Sequence, residues 1–315
     1  MLCPFLTAFL ALATRISAAT IQQVDNNNLA RIDDSLPKLT WLDAIDRRFT
    51  TTTQLQGPPL DVNVYLLNIV EAMATYAMLN FTADVTPVVV GSPDVMIVPR
   101  GLTPGGTIEA RFLVWGLYAG VRGFILYEIF DTVELTLKWD GDVVGYIKIL
   151  KPNARSTMGA SNDMSGPMVQ STSIPSTPAR MNDTNVIDAS LQIPEHPAIS
   201  HLSVQFTGFG RPLTRDEVII AILRTILFIA PNDSDHTVQP LQVSAPAPYD
   251  ANLRIRPLHP PSAPSAEPFT YAMAMRGLLA ITKTALRHGR WSEASFNVLV
   301  NGMAIGQGAI LKGRR

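Results

Sequence analysis

The sequence predicts an α+β fold built from two tandem, divergent copies of one module. Each copy is expected to be a two-layer α/β sandwich, with a pseudo-two-fold arrangement between them. Three observations predict it: short motifs recur at a nearly fixed offset, helix-start signals fall at matching places, and two turn dipeptides of one kind share an aligned position. Gly57-Pro-Pro-Leu60 and Gly210-Arg-Pro-Leu213 match at an offset of 153, which also carries Ile69 onto Ile222, Val90 onto Val243 and Pro93 onto Pro246. From about 108 to 151 the offset is 161, pairing Gly116-Leu117 with Gly277-Leu278, Gly145 with Gly306, and Ile149-Leu150-Lys151 with Ile310-Leu311-Lys312. The additional residues of the second copy fall in the Pro-rich stretch between Pro246 and Pro268.

Asp61 and Thr214 occupy one place in the repeat, each an N-cap residue before an apolar run. Thr214 has Glu217 three residues on, the spacing of a capping box. The runs that follow, about 61–79 and 214–230, bring apolar residues round at helical spacing: Val62, Leu66, Ile69, Met73 and Tyr76, then Val218, Ile222, Ile226 and Ile229. At the far end, Asp140-Gly141 and Asn301-Gly302 favour positive φ at both centres of a type I′ turn and are flanked by strand patterns. Each copy therefore reads strand, helix, one or two short strands, helix, hairpin. In the first copy these lie at about 49–56, 61–79, 86–99, 107–130 and 133–150. In the second they lie at about 202–208, 214–230, 238–258, 267–289 and 294–311. The order approaches a ferredoxin-like β-α-β-β-α-β with an added C-terminal strand.

The N-terminus opens on an apolar stretch too short to span a bilayer and ends at Ser17-Ala18-Ala19, so residues 1–19 are expected to be a secretory signal cleaved near Ala19. Residues 20–40 are a polar segment, 41–151 the first module, 152–197 a Ser/Thr/Pro-rich linker and 198–315 the second module. Sequons at Asn80, Asn182 and Asn232 point to an extracellular glycoprotein, and two of them end the equivalent helices. Arg47-Arg48 is a dibasic pair that serves either as a processing site or as the charged start of a strand.

The one cysteine, Cys3, lies in the signal, so the mature chain has no disulfide, thiol nucleophile or cysteine metal ligand. Its ~295 residues are enough to bury a core without crosslinks. Charged residues are 16% and the net charge is −1, with no dense basic run, so no nucleic-acid partner is expected. The apolar stretch Glu109–Phe130 carries Glu109, Arg111, Arg122 and Glu128, which opposes a transmembrane span.

Candidate chemistry is sparse. There is no Gly-x-Ser-x-Gly elbow, and His196, His201, His236, His259 and His288 never coincide under the repeat. Asp233-Ser-Asp235-His236 lacks further ligands at metal-site spacing and reads as an acidic solvated loop. Gly101-Leu-Thr-Pro-Gly-Gly106 has neither dinucleotide nor P-loop spacing. No catalytic residue, cofactor or metal is expected.

The reading is a secreted binding or surface protein whose partner is an extracellular protein or glycan, with Trp139 at the hairpin tip as a candidate partner surface. The alternatives are a secreted hydrolase, which needs converging titratable groups, and a lipid or small-ligand carrier, which needs an apolar pocket. The short signal, the Ser/Thr/Pro linker, the sequons and the cysteine-free mature chain together resemble effector-like proteins secreted by filamentous fungi. That resemblance implies secretion and assigns no residue a role.

Overall fold

A computed structural model describes residues 45–152, 201–258 and 267–313. These residues form a mixed α/β structure of four helices and three sheets. The expected signal 1–19, the polar segment 20–40, nearly all of the linker 152–197, His196, His259 and the sequon at Asn182 lie outside the described residues.

The first half runs β1 (Phe49–Pro59), α1 (Val62–Ala77), β2 (Asp84–Val85), β3 (Val90–Gly91), β4 (Met96–Arg100), β5 (Ile108–Glu109), α2 (Ala110–Tyr127), β6 (Asp131–Trp139) and β7 (Asp142–Leu150). The second half runs β8 (Leu202–Pro212), α3 (Arg215–Ile229), β9 (Leu241–Ser244), β10 (Ala251–Pro257), α4 (Tyr271–His288), β11 (Ser292–Val300) and β12 (Met303–Lys312). Two five-stranded sheets follow the same path, β1-β6-β7-β4-β3 and β8-β11-β12-β10-β9, and β2 pairs with β5 in a small third sheet. Every strand pair is antiparallel.

One expectation is corrected. In a ferredoxin-like module the first strand lies inside the sheet, whereas β1 and β8 lie at sheet edges beside β6 and β11. The cause is the C-terminal hairpin. Its two strands pair with each other across the tight turn and take the central places, so the first strand is left at the edge.

The sequence signals act where they were expected. Asp61 Oδ1 accepts from Val64 N–H at 2.9 Å and starts α1. Thr214 Oγ1 accepts from Glu217 N–H at 3.1 Å while Glu217 Oε2 accepts from Thr214 N–H at 2.8 Å, completing the capping box of α3. Both hairpin dipeptides hold positive φ at both centres: 52° and 91° at Asp140-Gly141, 52° and 78° at Asn301-Gly302. The helix expected over 107–130 starts later, because Ile108 and Glu109 are extended and pair with Asp84 and Val85.

Each hairpin alternates. Val133, Leu135 and Leu137 of β6 are buried, and the residues between them are only half-buried. Helix α2 lies on that face: a methyl at Gly120 would come within 2.7 Å of Leu135, so the glycine sets the distance of approach. Asn68 of α1 is buried and donates from Nδ2 to Val95 O and Ser92 Oγ, both at 3.1 Å, which fixes the β3–β4 loop to the helix.

The helices of the two halves also meet each other. Helix α1 packs on α3 and α4, and α2 packs on α3. Lys283 Nζ of α4 lies 3.7 Å from Glu71 of α1, and the Arg215 guanidinium lies 5.8 Å from the centre of the Phe130 ring. Residues Ile219, Ile220, Ala221, Ile222 and Leu223 are all 0% exposed. Five successive residues at 100° each sweep the whole circumference of a helix, so α3 is enclosed on every side.

One local conflict between residue and backbone carries a prediction. Glu128 ends α2 in the left-handed conformation (φ 53°, ψ 36°), the place that Gly289 takes after α4 under the 161 offset (φ 59°, ψ 24°). A side chain there costs about 1 kcal/mol relative to glycine, offset partly by the freedom glycine has in the unfolded chain. Glu128→Gly is expected to stabilise the protein by about 0.5 kcal/mol, read as a raised midpoint of denaturant unfolding with unchanged slope.

Candidate functional site

The two halves share a path but not a core. In the first half, Tyr65 of α1 packs edge-on against Phe124 of α2 (ring centroids 6.0 Å apart) and against Phe130 (5.6 Å). Tyr65 is fully enclosed, its hydroxyl has no hydrogen-bond partner, and burial pushes that hydroxyl well above its ordinary pKa, with Asp131 adding to the rise. Under the repeat offsets, Tyr65 corresponds to Val218, Phe124 to Ala285 and Phe130 to Trp291. Two of the three rings are therefore replaced by small side chains in the second half.

The second half carries a groove of about 500 Å³ at these two positions. Val218 and Ala285 both line it, with Ile281 from α4, Ala294 from β11 and Ile310 from β12. Its remaining apolar wall is Phe206 and Phe209 of β8, stacked at 5.5 Å with ring planes 20° apart. Residues three apart in a regular strand face opposite sides of a sheet. Here the register slips: Ser295 pairs with Gly208 and Phe296 with Phe206, so Thr207 is the extra residue of a bulge. The bulge brings Phe206 and Phe209 to the same face. Between Phe49 and Leu55, β1 pairs with β6 without such a slip.

The polar lining comes mainly from one short segment. His288 and Arg290, both exposed, stand with Ser292 where α4 turns into β11. The Arg290 guanidinium lies 3.6 Å from the centre of the Phe209 ring, a close cation–π contact. Ser292 Oγ is enclosed and has no hydrogen-bond partner. Thr284 also lines the groove, but its hydroxyl donates to Ala280 O at 2.9 Å, within its own helix. Among the described residues, no Asp or Glu lines the groove.

His288 and Ser292 share the groove, and Ser292 Oγ has no hydrogen-bond partner among the described residues, so no base stands on it there. Among the described residues, no three His, Cys, Asp or Glu side chains converge as metal ligands would. Asp233, Asp235 and His236 form a self-bonded turn, with Asp235 N–H donating to Asp233 Oδ1 at 3.0 Å and His236 Nε2 3.8 Å from Asp233.

The residues singled out from sequence lie elsewhere. Trp139 is half-buried at the hairpin end of the first sheet, stacked 5.9 Å from Trp115 and tilted 5.5 Å from Phe112. Guanidinium groups of Arg48 and Arg111 approach its ring at 4.1 and 5.0 Å, and Arg48 also pairs with Asp46 at 2.9 Å. Asn80 and Asn232 are both exposed just past the ends of α1 and α3. Asn80 Oδ1 accepts from Thr82 N–H and hydroxyl at 3.2 and 3.3 Å, and Asn232 Nδ2 donates to Ile229 O at 3.0 Å.

Sequence reasoning missed the groove because it treated the repeat as evidence of likeness. The usable signal was unlikeness at core positions: an aromatic residue in one copy facing Val218 or Ala285 in the other.

No protein-family model matches the chain, and no curated protein matches it. Among solved structures, it is similar to the tandem DUF26 ectodomain of the Arabidopsis thaliana cysteine-rich receptor-like protein PDLP8. The identity is 6%, over 83% of this chain and 96% of that one, with a TM-score of 0.21. At that score the likeness carries no argument about this protein. No helix of the described residues is long and apolar enough to cross a membrane.

Proposed function

We propose that the chain is a secreted, non-catalytic binding protein made of two divergent copies of a two-layer α/β module, packed helix to helix. The first copy is closed by aromatic residues, and the second is opened into a groove that binds a small apolar ligand. One observation carries this reading: the replacement of Tyr65 and Phe124 by Val218 and Ala285 coincides with a groove of about 500 Å³, within the size range of small-molecule sites. A core that lost two rings without function would collapse or refill, because unfilled apolar volume is destabilising. Here the opposite wall has instead gained a stacked Phe206–Phe209 pair through a bulge. Export rests on the N-terminal 1–19 segment and on the exposed sequons Asn80 and Asn232.

The test uses the mature chain, residues 20–315, and the neutral fluorescent dye N-phenyl-1-naphthylamine. Saturable dye binding is expected in the native protein. Ala285→Phe, which restores the ring that Phe124 supplies in the first half, is expected to weaken it at least tenfold while leaving the thermal midpoint unchanged or higher. Saturable binding that Ala285→Phe leaves intact overturns the assignment of the groove.

A further inference from the structure

Among the described residues, the polar lining of the groove is concentrated in one segment, which carries Arg290. The groove walls are apolar from Phe206 round to Ile310, and the polar capacity left over belongs to the segment His288–Ser292. Arg290 stands over Phe209 with no carboxylate of the described residues paired to it, unlike Arg48, Arg111, Arg211 and Arg215, which each hold an acid within 3.0 Å. An arginine stacked on an aromatic ring keeps the in-plane N–H groups of its guanidinium free to donate outward. Ser292 Oγ, two residues on, is an enclosed hydroxyl with nothing to bond, and such a group costs free energy until a ligand satisfies it.

From this we infer that the groove takes an amphipathic carboxylic acid, its apolar body along Phe206, Val218, Ile281 and Ala285 and its carboxylate at the Arg290 guanidinium, with the Ser292 hydroxyl as a second donor. The inference rests on the groove reading above and adds the charge of the ligand to it. Among the described residues no acid lines the groove, which favours an anionic head over a cationic one. An amine head would meet Arg290 with like charge, and a neutral alcohol would leave the guanidinium without an anion. A carboxylate supplies bidentate acceptors matched to the planar guanidinium. Arg290 is exposed, so the preference is moderate and is screened by salt.

The experiment displaces N-phenyl-1-naphthylamine from the mature chain with three ligands of one length, decanoate, decanol and decylamine, at low and high salt. Decanoate is expected to displace the dye at about three- to tenfold lower concentration than decanol, decylamine at the highest, with the decanoate advantage shrinking as salt is raised. Arg290→Gln, which removes the guanidinium from the groove, is expected to abolish the decanoate advantage, so that decanoate and decanol displace the dye at equal concentrations. Equal displacement by decanoate and decanol in the native protein overturns the inference and leaves the groove reading standing, as does an advantage that survives Arg290→Gln. Failure of the dye and of all three ligands to bind overturns the groove reading itself, and the inference with it.

Discussion

Expressed apart, neither half of the chain is expected to persist as a folded monomer. Residues 20–152 and 198–315 should each emerge as homodimers or aggregates in size-exclusion chromatography. The intact chain should unfold in a single cooperative transition. The argument rests on α1 and α3. Helix α3 is enclosed around its whole circumference, although its own sheet can cover only one side; α1 and α2 cover much of the rest. Separation would bare apolar side chains at about 1.5–3 kcal/mol each, so four or five of them equal the 5–15 kcal/mol by which domains of this size are stable. Two halves that each ran as monomers with sharp, independent transitions would refute this and would make the helix contacts incidental.

The second large effect is expected at Glu293. Its carboxylate is buried and accepts from Arg211 N–H at 2.9 Å, Arg211 Nη2 at 2.7 Å and Lys312 N–H at 2.8 Å. It thereby joins β8, β11 and β12 where the β8–β11 register shifts between Ser292 and Ala294, and its oxygens bond N–H groups at that irregular end. Burial alone would raise its pKa from the ordinary 4.5. The hydrogen bonds from the Arg211 side chain and from the two backbone N–H groups outweigh burial and hold the pKa below that value.

A carboxylate with a depressed folded-state pKa stabilises the protein fully above its unfolded value, and the stabilisation is lost as pH falls through the folded one. Glu293→Gln is therefore expected to cost about 2 kcal/mol at neutral pH. The gap from the native protein should narrow as pH falls below 4.5. A cost independent of pH would show that packing, and not charge, accounts for Glu293. In the first half the corresponding position under the 161 offset is Thr132, whose hydroxyl lies 3.5 Å from Pro58 O. The ionic tie belongs to the half with the groove, beside Ser292 and Ala294.

The elements themselves were legible in the sequence because their signals are local. An N-cap such as Asp61 or Thr214 acts on an N–H three residues away, and Asn301-Gly302 sets the φ of its own two residues. Apolar spacing along α1 and α3 reflects a periodicity that a single chain displays by itself. The repeat extended this reach, since agreement between two distant segments identified β1 with β8 and each hairpin with the other.

Three features were not legible, each because it depends on residues far apart in the chain. The order of strands was one: the hairpin strands β6 and β7 lie between β1 and β4, which leaves β1 at the edge. The groove was another: it exists where Val218 on α3, Ala285 on α4 and a bulge at Thr207 on β8 meet, and none of these is unusual within its own segment.

The environment of Trp139 was the third. A hairpin-tip tryptophan reads as an open surface, yet Arg48 ahead of β1 and Arg111 and Trp115, one turn apart on α2, arrive from two other parts of the chain to take up its ring. By itself, then, the sequence determined the helices, the hairpins and their repetition, all of which short-range hydrogen bonding and periodicity dictate. The tertiary structure decided that the groove lies in the second half, because a cavity is made by the side chains that fail to meet across the fold.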